Sequence, residues 1–282
     1  MPALSSVLSA LLSTPHDAAQ EVHYTIVAPS YRGYWTSTGK PSQKGIEKDG
    51  SAIFDFLARI SDSNNISDDR PLLESMGNIL SQPRTLAVQL ESNTIEGVEL
   101  VIWGQSIGAN IAMTLLANYI AQRESLSGAA AALSPRLPPP TAIILETPFV
   151  SIRRMVYELY PQKWLPYRYL TPFLWNRWDI EEAARKLHNW DCTPRNILIL
   201  AAGRDEVVGS AQGREVEMIL RKHLGRESGG QGSMVNCGLS TRSVVERVVI
   251  RDALHVECVI KNSGRQAVVQ FLQQVGRGNF SG

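Results

Sequence analysis

The stretch that decides the fold is residues 98–113, which read VELVIWGQSIGANIAM. The apolar run over residues 98–103 has the composition of a strand, and the apolar residues from Ala109 onward follow helical spacing. The pentapeptide GQSIG lies between the two patterns, so it is expected at a sharp turn from strand to helix. Gly104 and Gly108 would let strand and helix approach closely, while Ser106 on the bend exposes its hydroxyl. The pattern predicts a nucleophile elbow.

The helix predicted after Ser106 would point free backbone N–H groups at any negative charge that develops beside the serine hydroxyl. The N–H group of Ile107 is therefore the expected oxyanion donor. Gly104, Gln105 and Gly108 complete the elbow.

Strands and helices alternate on both sides of this elbow. Helices are expected near the N-terminus, ending near Pro15, and over residues 45–60. Strands are expected at residues 22–29, 141–146, 196–201 and 243–250. Strands separated by helices imply an α/β protein with a mostly parallel sheet covered on both faces. One domain spanning residues 1–282 accounts for the length, with flexible insertions at residues 125–140 and 225–241.

Residues 149–190 contain many of the aromatic side chains, interrupted by prolines. Two interpretations remain open for this insertion. It could lie over the site like a lid and present an apolar acyl-binding surface, or it could consist of short helices that fill the sheet edge. Tyr31, Phe149 and Trp164 are the candidate substrate-lining residues.

Composition excludes several classes of function. The 282 residues are 44% hydrophobic and 20% charged, with a formal net charge of +1, so no basic excess indicates nucleic-acid binding. The three cysteines have neither disulfide-like nor zinc-like spacing, and no motif for a metal or another cofactor is present. No apolar run approaches the roughly 20 residues that span a bilayer, and no signal peptide is recognisable. The chain as given is expected to be soluble and intracellular.

A serine nucleophile needs an adjacent base, and His255 is the strongest candidate among five histidines. It follows the last predicted strand, where parallel sheets place reactive loops. Surface or packing roles are expected for the other four histidines, which are His16, His23, His188 and His223.

The acid that orients the base should follow an earlier strand, and Asp205 comes directly after the strand NILILA. Glu206 is its rival, and Asp179 and Asp191 are more distant alternatives. Ser106, Asp205 and His255 then occur in the chain order known for this type of elbow. The chemistry predicted is hydrolysis of an ester, thioester or amide. Dehalogenase and epoxide-hydrolase chemistry would require an aspartate at position 106.

Several motifs occur together in a family-specific order. They are SYRGY at residues 30–34, STGKPS at 37–42, Gly45, GQSIG at 104–108, ETPF at 146–149 with SIR at 151–153, GRDEVV at 203–208, and His255. This combination resembles the α/β-hydrolase-domain serine hydrolases of eukaryotes, in particular the fungal and animal membrane-anchored branch related to protein depalmitoylases. The resemblance implies an α/β-hydrolase fold, a Ser106, Asp205 and His255 triad, and acyl-ester or thioester substrates at a membrane surface.

The chain departs from this family in two places. The resemblance implies that the given sequence starts after the His-Gly-Asn-type motif that supplies half of the oxyanion hole, and after the family's central strand and membrane anchor. We therefore expect an N-terminally incomplete chain, which would be membrane-associated if a missing anchor exists. The alternative function is a catalytically weak or inactive hydrolase-like fragment. Around the base, residues 253–257 read ALHVE where relatives have Gly-x-His-Asn-Asp, and Glu257 could supply a neighbouring carboxylate there.

Overall fold

A four-stranded parallel sheet forms the centre of the computed structural model. Residues 2–13, 24–61, 99–125, 137–162, 164, 171, 174–188, 193–225 and 243–276 are described. The strands are β1 (Val101–Gln105), β2 (Ala142–Glu146), β3 (Asn196–Ala202) and β4 (Val244–Ile250). They pair in the order β1-β2-β3-β4, and every pair is parallel. The predicted parallel sheet is confirmed.

The two central strands are buried along their whole length. Apolar side chains on both faces of AIILE and NILILAA account for this, because a parallel strand covered on two sides loses contact with water on both. The register pairs Gln105 with Glu146 and Ala202 with Ile250, so the carboxyl ends of all four strands meet at one edge of the sheet. Loops that follow β1, β3 and β4 therefore converge there.

Helices cover both faces of the sheet. They are α1 (Pro2–Ser13), α2 (Gln43–Ser61), α3 (Ile107–Ser125), α4 (Ile152–Leu159), α5 (Ile180–His188), α6 (Ser210–Leu224) and α7 (Asn262–Gly276). One apolar core joins α3, α5 and α6 to one face of the sheet, and a second joins α1 and α7 to the other. Helix α3 is apolar on nearly all sides and is buried accordingly.

The strand predicted at residues 22–29 is wrong over its described part. Residues 24–30 have no regular secondary structure, and the side chains of Ile26 and Val27 are each 42% exposed. A β-strand needs a neighbouring strand to accept and donate its ladder hydrogen bonds, and no described strand pairs with residues 24–30. The β-branched composition of the segment is therefore not sufficient to make a strand.

The insertion at residues 149–190 leaves the sheet through a narrow neck. Ser151 and Asp179 form an antiparallel bridge, and the N–H of Ile180 donates to the carbonyl of Val150 at 3.0 Å. The side chain of Asn110 on α3 is buried and donates to two carbonyls, one at each end of the neck: Phe149 O at 2.9 Å and Trp178 O at 3.1 Å. The insertion is thus anchored to the elbow helix at both of its ends.

The other predicted insertions lie mostly outside the described residues. Where residues 125–140 are described, α3 continues to Ser125, and Leu137 is buried, with its carbonyl accepting hydrogen bonds from Tyr119 and Arg123. Gly225, the first residue of the predicted insertion 225–241, ends α6. No helix among the described residues is long and apolar enough to cross a bilayer.

Candidate active site

Ser106 lies on the turn between β1 and α3. Its φ angle is +53°, a left-handed conformation that costs a non-glycine residue about 1–3 kcal/mol. The turn is held by the Ser106 N–H, which donates to the carbonyl of Glu146 at 2.8 Å, and by the Ala109 N–H, which donates to the carbonyl of Ser106 at 2.9 Å. Backbone hydrogen bonds from two elements therefore maintain the strained residue.

The two elbow glycines have different surroundings. A Cβ atom at Gly104 would collide with the backbone of Gly108, so the close approach of strand to helix depends on Gly104. A Cβ atom at Gly108 would meet no other atom within 4 Å. Ile107 is the first residue of α3, and its N–H has no acceptor among the described residues, as the oxyanion prediction requires.

The loops after β3 and β4 are joined to each other by backbone hydrogen bonds. Gly203 N–H donates to Ile250 O at 2.8 Å, and Arg204 N–H donates to Ala253 O at 3.0 Å. Gly203 lies so close to the backbone of Arg251 that a side chain would not fit between them. This pairing brings the loop of Asp205 against the loop that carries His255.

The structure brings together the three residues that the sequence predicts as a triad. His255 Nε2 lies 2.8 Å from Ser106 Oγ, and His255 Nδ1 lies 2.9 and 3.0 Å from the two carboxylate oxygens of Asp205. The His255 and Asp205 side chains are 7% and 6% exposed. The geometry suits a ring that is protonated on Nδ1 and accepts the serine proton on Nε2.

Asp205 is held in its ionised form by its hydrogen bonds. Burial alone would raise the pKa of Asp205, but hydrogen bonds from His255 and from the N–H groups of Val208 and Val207 outweigh burial and keep the pKa below its ordinary value. These backbone donors lie 2.7 and 2.9 Å from Oδ1. A fixed carboxylate charge therefore faces the imidazole.

The rival carboxylates have other partners. Glu206 accepts the backbone N–H of His255 at 3.0 Å, and Asp179 caps α5 by accepting the N–H of Glu182 at 3.0 Å. Glu257 accepts the N–H of Leu254 at 3.2 Å and pairs with Lys261, so it does not act on the imidazole ring in the described structure. Asp191 lies outside the described residues.

The remaining histidines lie away from the triad or outside the description. His188 Nδ1 is 2.7 Å from the carbonyl of His223, at the contact between α5 and α6. His16 and His23 lie outside the described residues.

The predicted lining residues have three different environments. Phe149 is buried with Met155 and Val208, and the side chain of Ile107 packs against the same cluster. Tyr31 is partly buried beside the cluster that joins α2 and α3, and burial raises the pKa of its hydroxyl, with the charge of Asp49 adding to the effect. Trp164 is 78% exposed. Phe149 and Tyr31 thus remain candidates close to the elbow, while Trp164 lies at the surface.

An ion pair that the sequence interpretation did not predict anchors the loop of Tyr31. The Nε and backbone N–H of Arg32 both donate to the carboxylate of Asp49 on α2, each at 3.0 Å. The two residues are opposite in charge but 17 positions apart, so their spacing carries no helical or hairpin signal.

No family model matches the chain. Among curated proteins, lysophosphatidylserine lipase ABHD12 of Macaca fascicularis is 28% identical over 201 residues, covering 70% of this chain and 38% of the relative. Protein bem46 of Schizosaccharomyces pombe is 24% identical over 183 residues, covering 65% of this chain and 42% of the relative. The chain is thus similar to part of these α/β-hydrolase-domain proteins. Its matches span about two fifths of the length of these relatives.

The fold agrees with the sequence prediction, because the structure has a parallel sheet with helices on both faces. Similar solved structures include acyl-protein thioesterase 2 of Zea mays, with a TM-score of 0.37 and 12% identity over 84% of this chain and 67% of that one. The esterase Pf2001 of Pyrococcus furiosus has a TM-score of 0.35 and 16% identity over 62% of this chain and 53% of that one.

Proposed function

We propose that the chain is a serine hydrolase that cleaves acyl esters or thioesters of lipids or acylated proteins. The observation that carries the proposal is the continuous chain of hydrogen bonds from Ser106 Oγ through His255 to Asp205. A serine hydroxyl needs such a base to become nucleophilic at neutral pH.

In the first half-reaction, Ser106 Oγ attacks the carbonyl carbon while His255 Nε2 takes the hydroxyl proton. The carbonyl π electrons move to oxygen, and the Ile107 N–H donates to the oxyanion that forms. Asp205 stabilises the imidazolium. Collapse of the tetrahedral intermediate breaks the bond to the alcohol or thiol, which leaves with the proton from His255.

In the second half-reaction, water attacks the acyl-serine ester. His255 Nε2 takes a proton from this water, and the second tetrahedral intermediate collapses to release the carboxylic acid. The proton returns to Ser106 Oγ. The sequence of steps consumes one water and leaves the chain unchanged.

The substrate class rests on the relatives and on the walls of the site. ABHD12 is named as a lipase of lysophosphatidylserine, a lipid with one acyl ester. The side chain of Ile107, the residue after the nucleophile, packs against the apolar cluster of Phe149, Met155 and Val208, which supports an apolar acyl group at this end of the site. We therefore expect an acyl group on a lipid headgroup or on a thiol, presented at a membrane surface.

Covalent labelling with a fluorophosphonate probe tests the proposal directly. We expect mass spectrometry to find the adduct on Ser106, and expect Ser106→Ala to abolish both labelling and hydrolysis of p-nitrophenyl butyrate. The matched control is Ser210→Ala, which removes an exposed hydroxyl at the start of α6 and should change neither. Circular dichroism establishes that each variant is folded.

An unlabelled but folded wild-type chain would contradict the proposal and support the inactive alternative. Where labelling succeeds, turnover of palmitoyl-thioester and lysophosphatidylserine substrates compares the two acyl linkages. A ratio of kcat/KM values that favours one linkage by tenfold or more assigns the substrate class.

A further inference from the structure

A second carboxylate is buried beside the triad, on the last residue of β2. Glu146 is 2% exposed and ends the otherwise apolar run AIILE. Its backbone carbonyl accepts the N–H of Ser106, so the same residue also supports the elbow. Buried carboxylates are rare unless other groups hydrogen-bond to them, so the contacts of the Glu146 side chain indicate its role.

The side chain of Glu146 connects β1 to the loop that carries His255. Its carboxylate forms hydrogen bonds with the side chains of Gln105 and Trp103, and Oε1 accepts the N–H of Val259 in a long contact of 3.4 Å. Glu146 points to the same face of the sheet as Ala142 and Ile144, and this is the face against which Cys258 and Val259 pack. The carboxylate therefore lies beneath the segment that follows His255.

That segment is packed tightly from the other side as well. A Cβ atom at Gly264 on α7 would collide with the carbonyl of Cys258, so helix and loop are in backbone contact. The adjacent Cys258 is fully buried. Between α7 and Glu146, residues 255–259 have little room to shift.

The charges around the carboxylate are few and identifiable. Burial raises the pKa of Glu146, while hydrogen bonds from Val259, Gln105 and Trp103 and the charge of His255 act in the opposite direction. Burial, with the charges of Glu146, Asp205 and Glu257, raises the pKa of the Cys258 thiol to about 12. The thiol is thus a neutral neighbour of the carboxylate.

We propose that Glu146 is a positioning residue of the site, whose buried carboxylate fixes the segment 255–259 that begins with His255. The inference rests on the proposed hydrolase function, because its consequence is a property of the acylation step. Glu146 holds this segment through the N–H of Val259, whereas Asp205 contacts Nδ1 of the His255 ring directly.

Two substitutions test the positioning role. Glu146→Gln keeps an acceptor for the N–H of Val259, and Glu146→Ala removes it. Glu246→Gln is the matched control, because Glu246 is an exposed carboxylate on β4, paired in register with Leu198 in the middle of β3.

With p-nitrophenyl butyrate, we expect Glu146→Ala to lower kcat about tenfold with KM nearly unchanged, since the buried carboxylate positions the segment of His255 and does not reach the substrate. Glu146→Gln keeps an acceptor for the N–H of Val259 and should lower kcat less. Glu246→Gln should leave kcat and KM unchanged.

Positioning is measured without activity by the rate at which iodoacetamide alkylates Cys258, located by mass spectrometry. We expect Glu146→Ala to accelerate alkylation at least fivefold over wild type, and Glu146→Gln to change it less. Equal alkylation rates in all variants would overturn the positioning role even if the chain proves to have no hydrolase activity. An active wild type with unchanged kcat in Glu146→Ala would overturn the inference and leave the proposed function intact.

Discussion

Two adjacent carboxylates at the end of β3 differ in what they contact. Asp205 is turned inward by the N–H groups of Val207 and Val208, which both bind its Oδ1, and it faces the ring of His255. Glu206 instead accepts the backbone N–H of the same histidine. The sequence alone leaves both candidates open, because the choice depends on a local turn that forms only when the loops after β3 and β4 pair.

At this scale we predict unequal effects of two conservative substitutions. Asp205→Asn removes the charge behind the imidazole and should lower kcat by about 10³- to 10⁴-fold. Glu206→Gln keeps an acceptor for the backbone N–H, so its effect should stay within about fivefold, the equivalent of one hydrogen bond. Steady-state hydrolysis of p-nitrophenyl butyrate measures both. Equal losses would mean that Glu206 shares the role of the acid.

The junction of β1 and α3 is the element that sequence analysis predicts best. Strand composition, helical spacing and the GQSIG pattern all point to the same turn, and the structure has it within a residue of the expected place. The pattern does not reveal that a side chain fits at Gly108 but not at Gly104. That difference arises from the direction of each Cβ, which depends on how strand and helix pack.

Alanine substitutions at the two glycines should therefore differ in stability. Gly104→Ala forces its Cβ into the backbone of Gly108, and we expect a loss of about 3 kcal/mol or more in the free energy of unfolding. Gly108→Ala adds a methyl group in open space at a helical position and should change the free energy by less than about 1 kcal/mol. Urea denaturation measures both. A tolerated Gly104→Ala would show that the junction can relax.

The neck of the insertion depends on one side chain of α3. Asn110→Ala leaves the carbonyls of Phe149 and Trp178 without their donor in a buried site, so we expect a loss of about 2 kcal/mol or more. Asn118→Ala, further along the same helix where the residue is half-buried, is the control and should cost less than about 0.5 kcal/mol. Thermal unfolding of the two variants tests this, and equal melting temperatures would contradict it.

At the scale of the whole molecule, composition and periodicity predict the buried strands of the sheet better than they predict which further segments join it. The buried strands are continuous apolar runs, so the sheet and its parallel arrangement follow from residues such as Ile143 and Leu198 and their spacing. Residues 24–30 are also β-branched but form no strand with any part of the chain that the structure describes, and no local pattern reports that. The sequence analysis did not single out Glu146, although a single charge at the end of an apolar strand is a recognisable signal.

The carboxylates of Asp205 and Glu146 should make the stability of the fold depend on pH in opposite directions. The pKa of Asp205 is lowered on folding, so its stabilising contribution is present above its ordinary value of 3.8 and is lost as pH falls through the lowered pKa. The pKa of Glu146 is raised, so its contribution is present below 4.5 and is lost as pH rises through the raised pKa.

Glu146→Gln should therefore become more stable relative to wild type as pH rises. The amide has no charge to desolvate, whereas the wild-type carboxylate must ionise in a buried position. Urea midpoints of both proteins at pH 5.0, 6.5 and 8.0 measure the difference. A difference that is constant across this range, or that decreases, would show that burial does not dominate at this carboxylate.

The bridge between Ser151 and Asp179 has an evolutionary consequence. Since the two residues pair across an antiparallel bridge, the ends of residues 152–178 lie about 5 Å apart, a gap that a short turn can close. Replacing the segment between them with a longer one adds little to the entropic cost of closing the loop, because this cost grows slowly with loop length. Evolution can therefore replace the segment between Ser151 and Asp179 with one of another length or sequence, while the elbow and His255 stay unchanged.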